Sequence, residues 1–471
     1  MSAKVQTIKY LIFDYLSAAI SWSIFYFFRK IYIEPEIFGY QIPLVTGRAF
    51  FLGLLFIPFL WLFIYYVTGY YANTLRKTKS GDIAQTIFTS LLGVIVIFFA
   101  FLLDDYIKTY QNYYLSVSVL FLLHVTLTLT PRLMITSQTI HRIKTGKITF
   151  NTLIIGSNEN AVEVYNDIKK LAIITGNHFI GFVNIHNKPH YQLAEYLPHL
   201  GNYKQAREII EKQHVKEVIL ALEKTEHNEL SKILIPIYSL NVQIKAIPDM
   251  YDIITGKVRT ETLLGTPLIS VTHDLMPPWQ QSIKKIMDVS VSLLALIILS
   301  PLCLFLVAGI KLSSPGPVIY SHKRIGQFGK PFVLFKFRSM YIDAESNGPE
   351  LSRKNDSRMT PFGRFMRRTK LDEIPNFINV LKGEMTLVGP RPERQYFIDQ
   401  IVKVAPQYIM LHKVKPGITS WGQVKYGYAE NVEQMVKRMR YDLIYIQNTS
   451  IFTDLRILLH TLRTVFRGRG I

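Results

Sequence analysis

Cysteine is almost missing from this sequence: among 471 residues there is one, Cys303. That excludes an internal disulfide framework and a cysteine metal cluster. Acidic residues are also scarce, 34 against 54 lysines and arginines, giving a formal net charge of +20. The shortage is uneven. From Lys311 onward, 27 basic residues face 13 acidic ones, so the last third is suited to anions such as lipid headgroups, nucleotides or nucleic acid. No nucleic-acid recognition motif accompanies the charge, and the adjoining apolar runs favour phospholipid. The first apolar run has no small-residue cleavage site and carries Asp14, so no cleavable signal peptide is expected.

Apolar residues are abundant, at 49% of the chain. Four runs, Tyr10 to Phe28, Ala49 to Tyr71, Ile83 to Leu103 and Tyr113 to Thr130, each approach the ~20 residues that a helical crossing needs. They predict a four-helix transmembrane bundle over residues 1–147. Lys4 and Lys9, then Arg76, Lys77 and Lys79, then Arg132, Arg142, Lys144 and Lys147 place both ends of the bundle in the cytoplasm. The first loop, with Arg29, Lys30 and Arg48 against Glu34 and Glu36, fits that rule least well. Asp14 and His124 within the runs suit either a functional role or a packed contact inside the bundle.

From Phe150 the texture changes to short β-branched runs, Thr152 to Ile155, Phe179 to Val183, Glu217 to Leu220 and Val242 to Ile247, separated by helical stretches. This alternation predicts a Rossmann-like parallel α/β domain over 148–255. The turn Gly156-Ser157-Asn158-Glu159-Asn160-Ala161 has Asn158 and Ala161 where the dinucleotide fingerprint has glycine, and the second strand ends in Asn184-Ile185-His186 without an acidic residue. A module that binds no dinucleotide is the expectation.

A linker with Pro267, Pro277 and Pro278 (256–282) leads to Trp279–Lys285, which reads as a short helix at the membrane surface. The fifth apolar run, Ile286 to Ile310, is broken by Ser300-Pro301 and flanked by Lys284 and Lys285 on one side and Lys311, Lys323 and Arg324 on the other. Positive charge at both ends opposes a crossing, and proline in mid-helix removes a hydrogen bond and kinks the axis. A re-entrant helix that dips into one leaflet and returns is therefore expected, with the catalytic part over 283–471 facing the cytoplasm.

The final third carries its densest chemistry at Arg367-Arg368-Thr369-Lys370-Leu371-Asp372-Glu373-Ile374-Pro375. Leu371, Ile374, Ile378 and Leu381 recur at helical spacing, Pro375 restricts the helix start, and Thr369 reads as the N-cap. Asp372 and Glu373 would then sit at a helix N-terminus, pointing about 100° apart and so doing separate jobs. An acidic pair at a helix start is by itself most often a cap. Here Arg367 and Arg368 precede it, and Gly389-Pro390-Arg391-Pro392 holds a further guanidinium on a rigid turn, suited to phosphate. A strand could present Lys336 and Arg338 on one face. A carboxylate facing phosphorus among such cations can act as a nucleophile. The C-terminal run to Phe466 mixes apolar residues with Arg456, Arg463 and Arg467, suiting either the bilayer surface or packing on the core.

Ser314-Pro315-Gly316-Pro317, Lys336–Met340, Leu371–Pro375, Asn379–Gly383, Gly389–Pro392, Lys415–Thr419 and Arg467–Gly470, in this order, closely resemble the bacterial sugar transferase family in its long form. The resemblance implies a membrane protein of α plus α/β class with a mostly helical catalytic domain, and a transfer of hexose-1-phosphate from a UDP-hexose to undecaprenyl phosphate with release of UMP. It assigns Asp372 as nucleophile, Glu373 to Mg²⁺, and Arg391, Arg367, Lys336 and Arg338 to phosphate. It also implies an inner-membrane location, contact with membrane lipids and a role in starting polysaccharide assembly, and leaves room for a homodimer. Lys370, where many relatives have Ser or Thr, and Ser420-Trp421, where Gly-Trp is frequent, depart from the pattern. Two other readings stay open: a glycosyltransferase releasing UDP, and a membrane-anchored nucleotide-sensing regulator without catalysis.

Overall fold

The computed structural model describes residues 3–40, 43–44, 46–102, 110–187, 189–222, 229–247, 268–271, 276–344, 348, 350, 356–427 and 429–466. The linker residue Pro267 and the closing Arg467–Gly470 motif lie outside them. Two compact units emerge: Met1–Thr149 with Ala172–Gly176 and Pro277–Ser282, and a second holding Phe150–Leu171, Asn177–Met276 and Ile283–Ile471.

The first unit contains helices α1 (Ala3–Phe28), the short α2 (Glu34–Phe38), α3 (Arg48–Val67), α4 (Lys79–Ile97) and α5 (Tyr110–Lys144). Four of these, α1 extended to Glu36 and α4 extended to Ala100 among them, are long and apolar enough to cross a membrane. This is a membrane protein. The fourth crossing does not stop at Thr130 as expected, because α5 continues through Pro131. Proline there removes the N–H that would bond the Leu127 carbonyl, and the Ser17 hydroxyl of α1 donates to that carbonyl instead, at 2.9 Å.

Nor is Arg132 a flanking charge. It is fully buried, and its Nε and Nη2 donate to the two carboxylate oxygens of Asp14, both at 2.8 Å. Nη1 donates to Thr86, and Tyr71 donates to Asp14 Oδ2. His124 stacks on Trp61, 3.5 Å between ring centres, and its Nε2 meets the Tyr65 hydroxyl. Both residues singled out within the apolar runs are thus packed contacts of the bundle core.

In the second unit, strands β1 (Phe150–Ile155), β2 (Asn177–Asn184), β3 (His199–Asn202), β4 (Glu217–Leu220), β5 (Gln243–Ala246) and β6 (Ile269–Ser270) form one sheet in the order 3-2-1-4-5-6, parallel except for β6. Helices α6 (Glu159–Thr175), α7 (Ala206–Lys212) and α8 (Leu230–Tyr238) connect them. β3 and β6 lay outside the sequence expectation: both are short, and β3 is polar. The turn after β1 carries its own cap. Asn158 Oδ1 accepts the Ala161 N–H at 2.9 Å while its Nδ2 donates to the Ala221 carbonyl. At the end of β2, Asn184 binds His199 and Tyr191.

Pro278 opens a long helix α9 (Pro278–Ile298) rather than the short surface helix expected at Trp279–Lys285. α9 is followed at once by α10 (Ser300–Ser313), the two bent by 61°. Pro301 would leave the Ile297 carbonyl without its donor, and the Ser300 hydroxyl takes it at 2.8 Å. Toward its start, α9 is tied to the folded core: Lys284 Nζ donates to the Val388 carbonyl (3.0 Å) and to Asp454 (2.5 Å), and Asp288 accepts from Thr386 Oγ1 and the Leu387 N–H. Around the bend, Leu294, Ile297, Ile298, Leu304 and Phe305 are exposed, an apolar tip suited to lipid.

The remainder comprises a hairpin of β7 (Ile319–Ile325) and β8 (Pro331–Phe337), helices α11 (Pro361–Thr369) and α12 (Asn376–Leu381), β9 (Thr386–Val388), α13 (Gln395–Val404), β10 (Gly417–Thr419) parallel to β9, and helices α14 (Trp421–Lys425), α15 (Val432–Gln447) and α16 (Ile451–Phe466). One face of α16 buries Asp454 and Ile457, and the other exposes Phe452, Leu455, Leu459 and Leu462. Packing on the core therefore holds for one face, and the other is an exposed apolar face.

Candidate active site

Thr369 is not an N-cap. α11 ends there, and its hydroxyl bonds back to the Phe365 carbonyl at 2.9 Å. Lys370 then takes the left-handed region at φ 61°, a conformation uncommon for a side chain of this kind. The reversal lets Leu371–Glu373 form a 3₁₀ turn ahead of α12, for which Pro375 is the N-cap. Asp372 and Glu373 are consequently buried in a tight turn, at 5% and 8% exposure, instead of standing at the first turn of a helix.

Two cations converge on Glu373. Lys336, the penultimate residue of β8, donates from Nζ to Oε1 at 2.6 Å, and Arg391 Nη2 lies 3.5 Å from the same oxygen. Burial pushes the Glu373 carboxyl up, but Lys336, Lys370 and Arg391 outweigh it and hold the group well below the usual range. Asp372 goes the other way. Burial raises it and the adjacent Glu373 charge adds to the rise, against the pull of Lys336, Arg367 and Lys370. Neighbouring carboxylates thus separate into one firmly ionised and one poised higher.

Arg367 comes from the last turn of α11, and its Nε donates to Ser339 Oγ at 3.0 Å. Arg338 is positioned differently from the expectation. It lies just beyond β8, is 6% exposed, and donates from Nη2 to the Ser314 carbonyl (2.7 Å) and from Nη1 to Pro315 (2.6 Å). Its guanidinium clamps the Ser-Pro-Gly-Pro turn at the end of α10, which leaves it poorly placed to fork a phosphate. All six of Lys336, Arg338, Arg367, Asp372, Glu373 and Arg391 border one cavity of about 850 Å³. Ser300 and Pro301 are at the helix bend and belong to that feature alone.

The other motifs build the frame. Fully buried Asn379 donates to the Val333 carbonyl and accepts from the Phe335 N–H, fastening α12 to β8 and thereby the acidic turn to Lys336. Gly389 N–H bonds the Thr419 carbonyl and Gly417 N–H the Pro390 carbonyl, so the turn bearing Arg391 is stitched to β10. Behind it sits a charged group that the sequence reading missed: Glu393 accepts from Arg324 (3.0 Å) and from Arg438 (2.7 Å). Its neighbour position in Gly-Pro-Arg-Pro-Glu was the available signal. The two arginines, 69 and 45 residues distant, gave none.

Among the described residues no group of three or more His, Cys, Asp or Glu side chains gathers as a metal cluster. The pair offers two carboxylates, a set Mg²⁺ accepts when substrate phosphate oxygens and water complete its shell.

Residues 279–468 match the family model described as bacterial sugar transferase, and 62–248 match one described as CoA-binding domain. The chain is similar to the UDP-N-acetylgalactosamine-undecaprenyl-phosphate N-acetylgalactosaminephosphotransferase of Aeromonas hydrophila, at 37% identity over 49% of this chain and 54% of that one. It is also similar to the UDP-glucose:undecaprenyl-phosphate glucose-1-phosphate transferase of Escherichia coli K12 (34%, covering 57% and 58%) and to an uncharacterized sugar transferase of Haemophilus influenzae (31%, covering 70% and 71%). The matches to the first two span little more than half of those relatives' lengths.

Proposed function

Since the chain belongs to the bacterial sugar transferase family, we propose that it transfers a hexose-1-phosphate from a UDP-hexose to undecaprenyl phosphate at the cytoplasmic face of the inner membrane. The observation that carries this is the buried Asp372 beside a glutamate already occupied by Lys336 and Arg391. A Asp372 carboxylate oxygen attacks the β-phosphorus, the bond from that phosphorus to the bridging oxygen breaks, and UMP leaves with the electron pair. An oxygen of the lipid phosphate then attacks the same phosphorus, freeing the Asp372 carboxylate and giving a lipid diphosphate sugar. Lys336, Arg391 and Arg367 hold phosphate oxygens and offset their charge. Glu373 would hold Mg²⁺, which when bound supplies further neutralisation of phosphate charge.

The bent pair α9–α10 is read as a re-entrant segment. Support comes from its two ends: Lys284 and Asp288 bind one part of the second unit, and the Ser314-Pro315 carbonyls are clamped by Arg338 of the same unit. About ten residues separate Asp288 from the bend, or roughly 15 Å at 1.5 Å each, half of a ~30 Å hydrocarbon core. The purified protein should release UMP when given UDP-hexoses, undecaprenyl phosphate and Mg²⁺. Release of UDP would assign it to sugar-only transfer, and absence of turnover with every sugar offered would favour the regulator.

A further inference from the structure

β7 sets Tyr320, His322 and Arg324 at alternate positions, hence on one face of the hairpin, and all three border the cavity that contains the acidic pair. Arg324 Nε donates to His322 Nε2 at 2.5 Å. A guanidinium nitrogen can only donate, so Nε2 is the acceptor and the neutral ring carries its proton on Nδ1. That Nδ1–H is buried and has no hydrogen-bond partner. Native proteins rarely leave such a donor unsatisfied without a use for it.

The charges around the ring indicate the use. Burial first, then Arg324, Arg394, Lys336 and Arg391, push the imidazole down to about 2, so the ring is neutral near neutral pH. Tyr320 lies 5.1 Å from it between ring centres and accepts from Arg394 Nη2. Glu393, which borders the same cavity, is already matched by Arg324 and Arg438. A neutral N–H among four cations adds direction toward an anion without adding repulsion between the cations.

We propose that His322 is a phosphate-binding residue of the cavity, its Nδ1–H donating to a non-bridging oxygen of the nucleotide diphosphate. This rests on the UDP-sugar reading and adds to it a donor that sequence motifs did not mark. The full-length protein in detergent would be titrated with UDP and, separately, with inorganic pyrophosphate. His322→Ala should weaken both by about 10-fold or more. His322→Gln should stay within about threefold, since a carboxamide can accept from Arg324 and still donate. In turnover the Ala variant should raise KM far more than it lowers kcat, with an unchanged pH profile.

Unaltered pyrophosphate affinity in His322→Ala would overturn the proposal, whether or not UDP affinity fell, because a fall for UDP alone would make the ring a reader of the base. Wild-type protein that bound no pyrophosphate would overturn it as well. Release of UDP instead of UMP would refute the transfer chemistry separately, while the titrations still decide His322.

Discussion

Lys336 and Arg391 both lie against Glu373 rather than Asp372, and that asymmetry bears on how the neighbouring Asp372 should behave. Its carboxyl is raised by burial, so a higher pH is needed to ionise it, and activity falls as pH drops through its pKa. The acid limb of a kcat/KM profile should accordingly lie above the ordinary aspartate range; a limb at or below that range would contradict the nucleophile assignment. Asp372→Asn should reduce turnover on the order of 10³-fold or more, and intact-mass analysis should lose any phosphosugar adduct. Asp442 allows a stability test free of catalysis. Burial pushes its carboxyl up to about 6, against the opposing pull of Arg438 and the Gly422 N–H. A raised carboxyl contributes stability that is present below the unfolded value and lost as pH rises through the folded one. Between about pH 4 and 6 the protein should therefore lose on the order of 3 kcal/mol from this group. Asp442→Asn should flatten that slope in thermal denaturation. At this scale the identities of the site residues were legible, because Leu371–Pro375 and Gly389–Pro392 are short local motifs. Their partners were not: the Lys336–Glu373 contact joins residues 37 apart, and nothing in the sequence announces that Lys370 takes a positive φ.

Two serines substitute for the N–H groups that two prolines lack. Ser17 serves the Leu127 carbonyl freed by Pro131, and Ser300 serves Ile297 freed by Pro301. In one case the donor comes from another helix and α5 runs on; in the other it is adjacent and the chain bends. The fourth span was expected to end at Thr130 because Arg132 read as a flanking charge, and nothing local announces its partner Asp14, 118 residues away. Ser17→Ala should destabilise by about 1 kcal/mol, and Pro131→Ala in the same chain should recover most of it by restoring the backbone donor. Denaturation in mixed detergent would measure the coupling, and simple additivity would refute it. The Asp14–Arg132 pair makes a harsher test. Asp14→Asn leaves a buried guanidinium uncompensated and should cost about 3–5 kcal/mol, whereas replacing both residues with leucine should cost much less. The parallel sheet was legible as alternation of strand and helix, while β3 and β6 were too short or too polar to register.

For the whole molecule, composition and charge already indicated a membrane protein with a basic end, and four apolar helices bear this out. Sidedness follows from the proposal for α9–α10: cysteines placed near Ser282 and Ser314 should react with the same membrane-impermeant reagent from the same side. Opposite reactivity would make the pair a fifth span. The exposed tip formed by Leu294, Ile297, Ile298, Leu304 and Phe305 then has a mechanical consequence. Four crossing helices add cross-sectional area to both leaflets, but a segment that enters and leaves on one side adds area to that side alone. Such a wedge relaxes where its own leaflet is convex. In membrane tubes pulled from giant vesicles, protein oriented with this face outward should be enriched relative to the parent vesicle, more so as the tube narrows, and substitution of the tip with small polar residues should remove the preference.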